Sequence, residues 1–167
     1  MTRVRLRGAA LWVVLAWNLN GIVYAQSADK PQPARAQEQV IVFVCEHGAA
    51  KSIVAAAYFN KLARERNLRY RAIARGTAPQ EEISVSAAKG LEGDGLAATE
   101  QKPAALTKDD VSGAFRVVAF CALPEDYKSV RVEEWNDVPT VSEGYDRARD
   151  TIVEHVKRLL DELASKK

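Results

Sequence analysis

Val40-Ile41-Val42-Phe43-Val44-Cys45-Glu46-His47-Gly48-Ala49-Ala50-Lys51-Ser52 is the stretch from which the fold can be read. Its first five residues are apolar and, Phe43 apart, β-branched, which predicts a short strand buried on both faces, as in a parallel sheet. The run ends at Cys45, and six loop residues lead to Ser52. Ser52 opens Ile53-Val54-Ala55-Ala56-Ala57-Tyr58-Phe59, whose helix formers and apolar spacing predict a helix to about Asn67. Strand, small-residue loop and helix N-terminus together cradle an anion, because loop and first-turn N–H groups converge on one point. A cysteine at the strand's tip faces that cradle, where the positive field favours its thiolate. Such a thiolate is equipped to act on phosphate or arsenate.

Upstream, Arg3, Arg5 and Arg7 precede a largely apolar stretch from Ala9 to Val23, and Val23-Tyr24-Ala25 ends it with a small-residue cleavage pattern. The stretch is short for a membrane span and is interrupted by Asn18, Asn20 and Gly21. It predicts a signal peptide cleaved after Ala25 and a protein of the bacterial periplasm or the exterior, with a retained anchor as the alternative. The chain's 24 basic and 22 acidic residues become 21 and 22 once the three arginines of residues 1–25 are removed. The basic character therefore belongs to the leader, which argues against nucleic-acid binding. No stable membrane association is expected after cleavage. The remaining 142 of 167 residues suit one domain. Residues 26–39, rich in Pro, Gln and Ala, read as a disordered lead-in, and 40–167 as the folded domain. Two cysteines are too few for a disulfide framework, but Cys45 and Cys121 suffice for one bridge in an oxidising compartment.

Downstream, the alternation in Arg69-Tyr70-Arg71-Ala72-Ile73-Ala74 predicts a second, more exposed strand, and Gly76-Thr77-Ala78-Pro79 a turn. A short helix is expected over Ala87 to Leu91, closed by Gly93-Asp94-Gly95. Thr107, with Asp110 three residues on, caps another. Phe115 to Phe120 reads as a third strand ending at Cys121, and Val130 to Trp135 as a weak fourth. Ile152, Val153, Val156, Leu159, Leu160 and Leu163 mark a terminal helix within Ser142 to Leu163. Alternating strands and helices predict a doubly wound parallel α/β sheet, whose ligands bind outside the carboxyl ends of the strands. Cys45, Cys121 and the loop after Trp135 all fall there. His47 has no second histidine or carboxylate at ligand spacing, so neither a metal site nor a cofactor is expected. His155 reads as a surface residue of the last helix.

The stretch Val44 to Ser52 resembles the Cys-x5-Arg-Ser phosphate loop of the low-molecular-weight protein tyrosine phosphatase superfamily, which includes the thioredoxin-coupled arsenate reductases. The arsenate-reductase form, Cys-x-His-Asn-Ala-x-Arg-Ser, is matched at Cys45, His47, Ala49 and Ser52. The likeness extends over most of Val40 to Lys167, with Trp135-Asn136-Asp137-Val138-Pro139 and Tyr145-Asp146-Arg147-Ala148-Arg149-Asp150 as supporting pattern. It implies a single three-layer domain, a four-stranded parallel sheet with helices on both faces. It also implies that Cys45 is the nucleophile and that Ser52 hydrogen-bonds its thiolate. The oxyanion would be bound by the loop from Glu46 through His47, Gly48, Ala49 and Ala50 to Lys51 and Ser52. Gly48 stands where the family often has Asn, and both residues tolerate positive φ.

Three positions depart from the family pattern. Lys51 replaces the arginine, exchanging a rigid two-pronged clamp for a flexible point charge, at about 2–4 kcal/mol of transition-state stabilisation. Val138 stands before Pro139, where the family places its general acid, so Asp137, one residue earlier, is the candidate. A missing acid typically costs about 10²–10⁴-fold. Cys121 occupies the first position of a Cys-x6-Cys redox pair, but Lys128 occupies the second. Three expectations stand side by side. One is an exported, weakened phosphatase that hydrolyses phosphate monoesters, phosphotyrosine among them, through a cysteinyl-phosphate, with Cys45, Lys51 and Asp137 catalytic. Another is an arsenate reductase-like enzyme using Cys45 and Cys121. The last is an oxyanion-binding domain that has lost turnover.

Overall fold

A strand buried on both faces has to pair its backbone on both edges, and the first strand does so. In the computed structural model, which describes residues 38–97, 102–127 and 132–165, β1 (Gln39–Cys45) lies between β2 (Tyr70–Gly76) and β3 (Arg116–Ala119). β4 (Val132–Glu134) pairs outside β3, giving the order β2-β1-β3-β4 with every pair parallel. The chain leaves β1 for β2 on one side and returns to β3 on the other, so the switch in strand order falls at β1. Cys45, the last residue of β1, stands opposite Gly76, and Val44 opposite Ala119.

Three helices, α1 (Lys51–Glu65), α2 (Val85–Gly93) and α4 (Tyr145–Ser165), cover one face of the sheet around Ile41, Phe43, Phe59, Trp135 and Leu160. The other face buries Val42, Val44, Val117, Leu106 and Leu123 under the short α3 (Lys108–Gly113) and its flanking loops. The result is the expected three-layer α/β arrangement, with helices on both faces. α3 has the capping box read from the sequence, Thr107 and Asp110 each bonding the other's backbone N–H. Ser84 caps α2 by accepting the Ala87 N–H. The last helix starts at Tyr145, after a 3-10 turn over Val141–Glu143, and a second 3-10 turn at Glu125–Tyr127 has no signal in the sequence pattern. α1 begins at Lys51, one residue before Ser52, and its N-cap residue Ala50 makes no side-chain cap. Its first-turn N–H groups are therefore left without a side-chain acceptor from the cap position, at the carboxyl end of β1.

The outer edge of β2 is paired at Ala72 and Gly76. The Asn60 side chain accepts the Ala72 N–H at 2.6 Å and donates to the Ala72 carbonyl at 3.0 Å, as a strand would. Gly76 pairs with Ala104 and Leu106. Both contacts shorten the run of edge groups open to another strand. The described residues from 38 onward belong to one unit; the leader and most of the lead-in lie outside the described residues, as do Lys128 and the start of the expected fourth strand. No helix among the described residues is long and apolar enough to cross a membrane.

Candidate active site

The loop between β1 and α1 is held from behind. Its carbonyls are taken up by a second segment: Thr77 N–H donates to Cys45 O, Ala78 to Glu46, Gln80 to His47 and Ser84 to Ala49, at 2.8–3.2 Å. In a trans peptide the N–H points opposite to the carbonyl, so the amides of Glu46, His47, Gly48 and Ala50 turn inward, towards the loop's centre. That is a preorganised nest for an anion, continued by the uncapped N-terminus of α1. Gly48 takes φ 60°, and a Cβ there would lie 2.9 Å from Gly76 N. φ alone makes Gly and Asn near-equivalents at this position; the contact with β2 separates them.

Cys45 sits at the mouth of the nest, 8 % exposed, with its Sγ 3.1 Å from the hydroxyl of the fully buried Ser52. Either atom can be the donor in this contact, which joins the end of β1 to the first turn of α1. A cavity of about 460 Å³ opens over this pair, lined by Cys45, Glu46, His47, Ala49, Ala50 and Lys51. Gln80, Ser84, Phe120, Cys121, Thr140, Val141 and Ser142 complete its walls. It lies at the carboxyl ends of β1 and β3, beside the switch in strand order. Two larger concavities, of about 760 and 490 Å³, have no cysteine or histidine among the described residues that line them.

Lys51 lines the cavity, but its ammonium is engaged: Nζ donates to the Val138 carbonyl at 2.6 Å, across 87 residues of sequence. The Val138 side chain is buried in the core, so the residue before Pro139 offers the site no acid. Asp137 does not line the cavity; its carboxylate accepts from His155 Nε2 at 2.9 Å. Arg158 donates to His155 Nδ1 at 2.8 Å, which leaves the ring hydrogen on Nε2, facing Asp137. The His155 hydrogen bond holds the Asp137 carboxyl below the usual carboxylate range. The sequence reading makes His155 a surface residue; instead its ring stacks on Trp135, with centroids 4.6 Å apart, and is mostly covered.

Cys121 and Cys45 are both free thiols lining this one cavity. Burial pushes the Cys121 thiol up, and the neighbouring Cys45 and Glu46 charges add to it. The structure thus brings together Cys45, the loop from Glu46 to Ser52, and Cys121, and leaves Asp137 on the α4 side. Nothing in the sequence marks Gln80, Ser84, Thr140 or Ser142 as wall residues, because they arrive from turns with no chemical motif. No group of side chains able to hold a metal ion occurs among the described residues.

The four-stranded parallel α/β sheet is the fold of low-molecular-weight protein tyrosine phosphatases and thioredoxin-dependent arsenate reductases. Solved structures of both kinds match the chain. YfkJ from Bacillus subtilis superposes with a TM-score of 0.71 at 16 % identity, covering 80 % of this chain and 99 % of its own. The low-molecular-weight protein tyrosine phosphatase of T. tengcongensis gives 0.65 at 18 % identity, over 74 % of this chain and 99 % of its own. The thioredoxin-dependent arsenate reductase of Corynebacterium glutamicum gives 0.61 at 17 % identity, over 80 % of this chain and 65 % of its own. No protein-family model matches the sequence, and no curated protein does.

Proposed function

We propose that the chain is an exported, cysteine-dependent phosphatase that captures tetrahedral oxyanions and turns over only monoesters whose leaving group needs no proton. One observation carries this reading: the Cys45–Ser52 pair lies beneath a nest of inward amides, while the acid position beside it holds the buried Val138. The Cys45 thiolate attacks phosphorus in line with the ester oxygen, so an S–P bond forms as the P–O bond breaks. The leaving oxygen departs with the electron pair as an anion and is protonated by solvent only afterwards. Water then hydrolyses the cysteinyl-phosphate, releasing phosphate and restoring Cys45. Inward amides and the Lys51 ammonium, once it leaves the Val138 carbonyl, balance charge on the equatorial oxygens.

The test is hydrolysis of a series of aryl phosphates by the reduced protein. Rates are expected to fall steeply as the leaving phenol becomes less acidic, since no group donates to it. Cys45→Ser should abolish turnover, and Lys51→Arg should raise it by about 10-fold or more if the clamp is what is missing. A rate indifferent to the leaving group, or one that survives Cys45→Ser, would refute the reading. The export step rests on residues 1–25 alone; a secreted chain whose N-terminal sequence begins at Gln26 would support it, and a cytoplasmic one beginning at Met1 would refute it.

A second reading draws on the two free thiols in one cavity. Arsenate held in the nest would be reduced by two electrons to arsenite as Cys45 and Cys121 form a disulfide, which an external dithiol then reopens. Arsenate turnover that persists in Cys121→Ala would eliminate it.

A further inference from the structure

Counted on the Lys, Arg, Asp and Glu side chains alone, the formal charges around the cavity do not offset those of a simple phosphate ester and a thiolate. Such an ester brings close to two negative charges, and Cys45 must be a thiolate to attack it. Among the described lining residues Lys51 supplies the one ammonium or guanidinium, and the Val138 carbonyl already holds it. Yet Glu46, the residue after the nucleophile, adds a carboxylate at the rim. Only its backbone carbonyl is bonded, by Ala78 N–H and, at 3.4 Å, by the Thr77 hydroxyl; the carboxylate has no partner among the described residues. That carboxylate acts on the cavity, because it is among the charges that push the Cys121 thiol up, after burial and Cys45. An acid so placed weakens the binding of a bare anion.

The remaining walls sharpen the point. His47, Gln80, Ser84, Thr140 and Ser142 present hydrogen-bonding groups, and His47 Nδ1 approaches the Ala78 carbonyl at 3.4 Å. Phe120 is the one phenylalanine, tyrosine or tryptophan among the described lining residues, and it is 7 % exposed; His47 adds an imidazole ring. An aryl group would find no exposed phenyl or indole face to stack on, only the His47 imidazole, whereas a charged, hydrogen-bonding group would be solvated by the walls.

We infer that the ligand of this site is a phosphate ester whose organic part carries a positive charge, and that Glu46 selects it. The inference rests on the oxyanion reading above. With the phosphate in the nest, the cationic part lies towards Glu46, so each end of a zwitterion meets its opposite charge. A neutral or anionic ester leaves Glu46 facing the phosphate uncompensated.

The test is calorimetric titration of the reduced protein at low ionic strength with inorganic phosphate, ethyl phosphate and O-phosphoethanolamine, in the wild type and Glu46→Gln. O-phosphoethanolamine is expected to bind about three- to five-fold more tightly than ethyl phosphate, the scale of one partly solvated ion pair. Glu46→Gln should erase that preference and tighten inorganic phosphate, because a repulsive charge is gone. Equal binding of the two esters by the wild type, or a preference that survives Glu46→Gln, would overturn the role of Glu46 while leaving the oxyanion site standing. Failure of inorganic phosphate to bind at all would overturn both.

Discussion

At position 48 the absence of a side chain is what lets the anion loop lie against the end of β2. Gly48 and Gly76 approach so closely that a Cβ on either would fall 2.9 or 2.7 Å from the other's backbone nitrogen. Neither contact can be relieved by turning a side chain, since both neighbours are main chain. Gly48 also occupies the left-handed region, which an alanine enters at a cost. Gly48→Ala is therefore expected to lose about 1–3 kcal/mol in chemical denaturation. It should also weaken phosphate binding measurably, because the inward amides depend on the loop's path. Lys51 belongs to the same scale. Its ammonium sits on the Val138 carbonyl, so an oxyanion bound as proposed would have to compete for it, which a guanidinium with five donors would not require to the same degree.

Between elements, α2 meets α4 through a glycine in the middle of a helix. Gly90 would ordinarily cost about 0.5–1 kcal/mol relative to alanine. It stands because the Tyr145 ring lies where a Cβ would go, at 2.3 Å. That ring cannot swing aside freely, since its hydroxyl donates to Asp94 at 2.6 Å. Gly90→Ala should thus destabilise the protein by about 1–3 kcal/mol, against its helix propensity. In a Tyr145→Ala background the same change should become neutral or stabilising, a sign reversal that a double-mutant cycle reads directly. The α1–β2 pair shows the opposite arrangement. There Asn60 completes a sheet edge, and its polarity in an otherwise apolar helix stretch is legible only once β2 is known to be at that edge.

Across the whole molecule, Asp94 ties the helical layer together. It follows α2 as its C-cap, accepts from Tyr58 of α1 and Tyr145 of α4 at 2.6 Å each, and pairs with Arg149 at 3.2 Å. Burial pushes its carboxyl up, but the Tyr145 and Tyr58 hydrogen bonds and the Arg149 guanidinium outweigh that and hold it below the usual range. Burial, followed by Asp94, pushes the Tyr58 hydroxyl up to about 12. Asp110 behaves as Asp94 does: burial is outweighed by bonds from Arg75 and Thr107. A carboxyl depressed in the folded state contributes stability above its unfolded value, about 3.9, and loses it as pH falls through the folded value. The melting temperature should accordingly drop as pH is lowered below about 4. Asp94→Asn should lose about 1–2 kcal/mol at neutral pH and show a shallower acid transition.

What the chain determines by itself is whatever its neighbours in sequence build. The buried strand, the cysteine at its tip, the small-residue loop and the helix, expected from Ser52 and found from Lys51, are contiguous from Val40 to Phe59, so periodicity and turn chemistry suffice to read them to within a residue. The capping box at Thr107 and the apolar stripe of the last helix are local in the same sense. What only the tertiary structure decides is every contact made across the chain. The amides of Thr77 to Ser84 that turn the loop's carbonyls outward come from beyond β2. A carboxylate two residues before Pro139 is, in sequence, a candidate acid; the placement of α4 turns it to His155 instead. The lysine that replaces an arginine could point anywhere until β4 and its loop bring the Val138 carbonyl to it. Long-range packing fixes these orientations because a side chain's direction depends on which surface buries it, and that surface is assembled from residues distant in the chain.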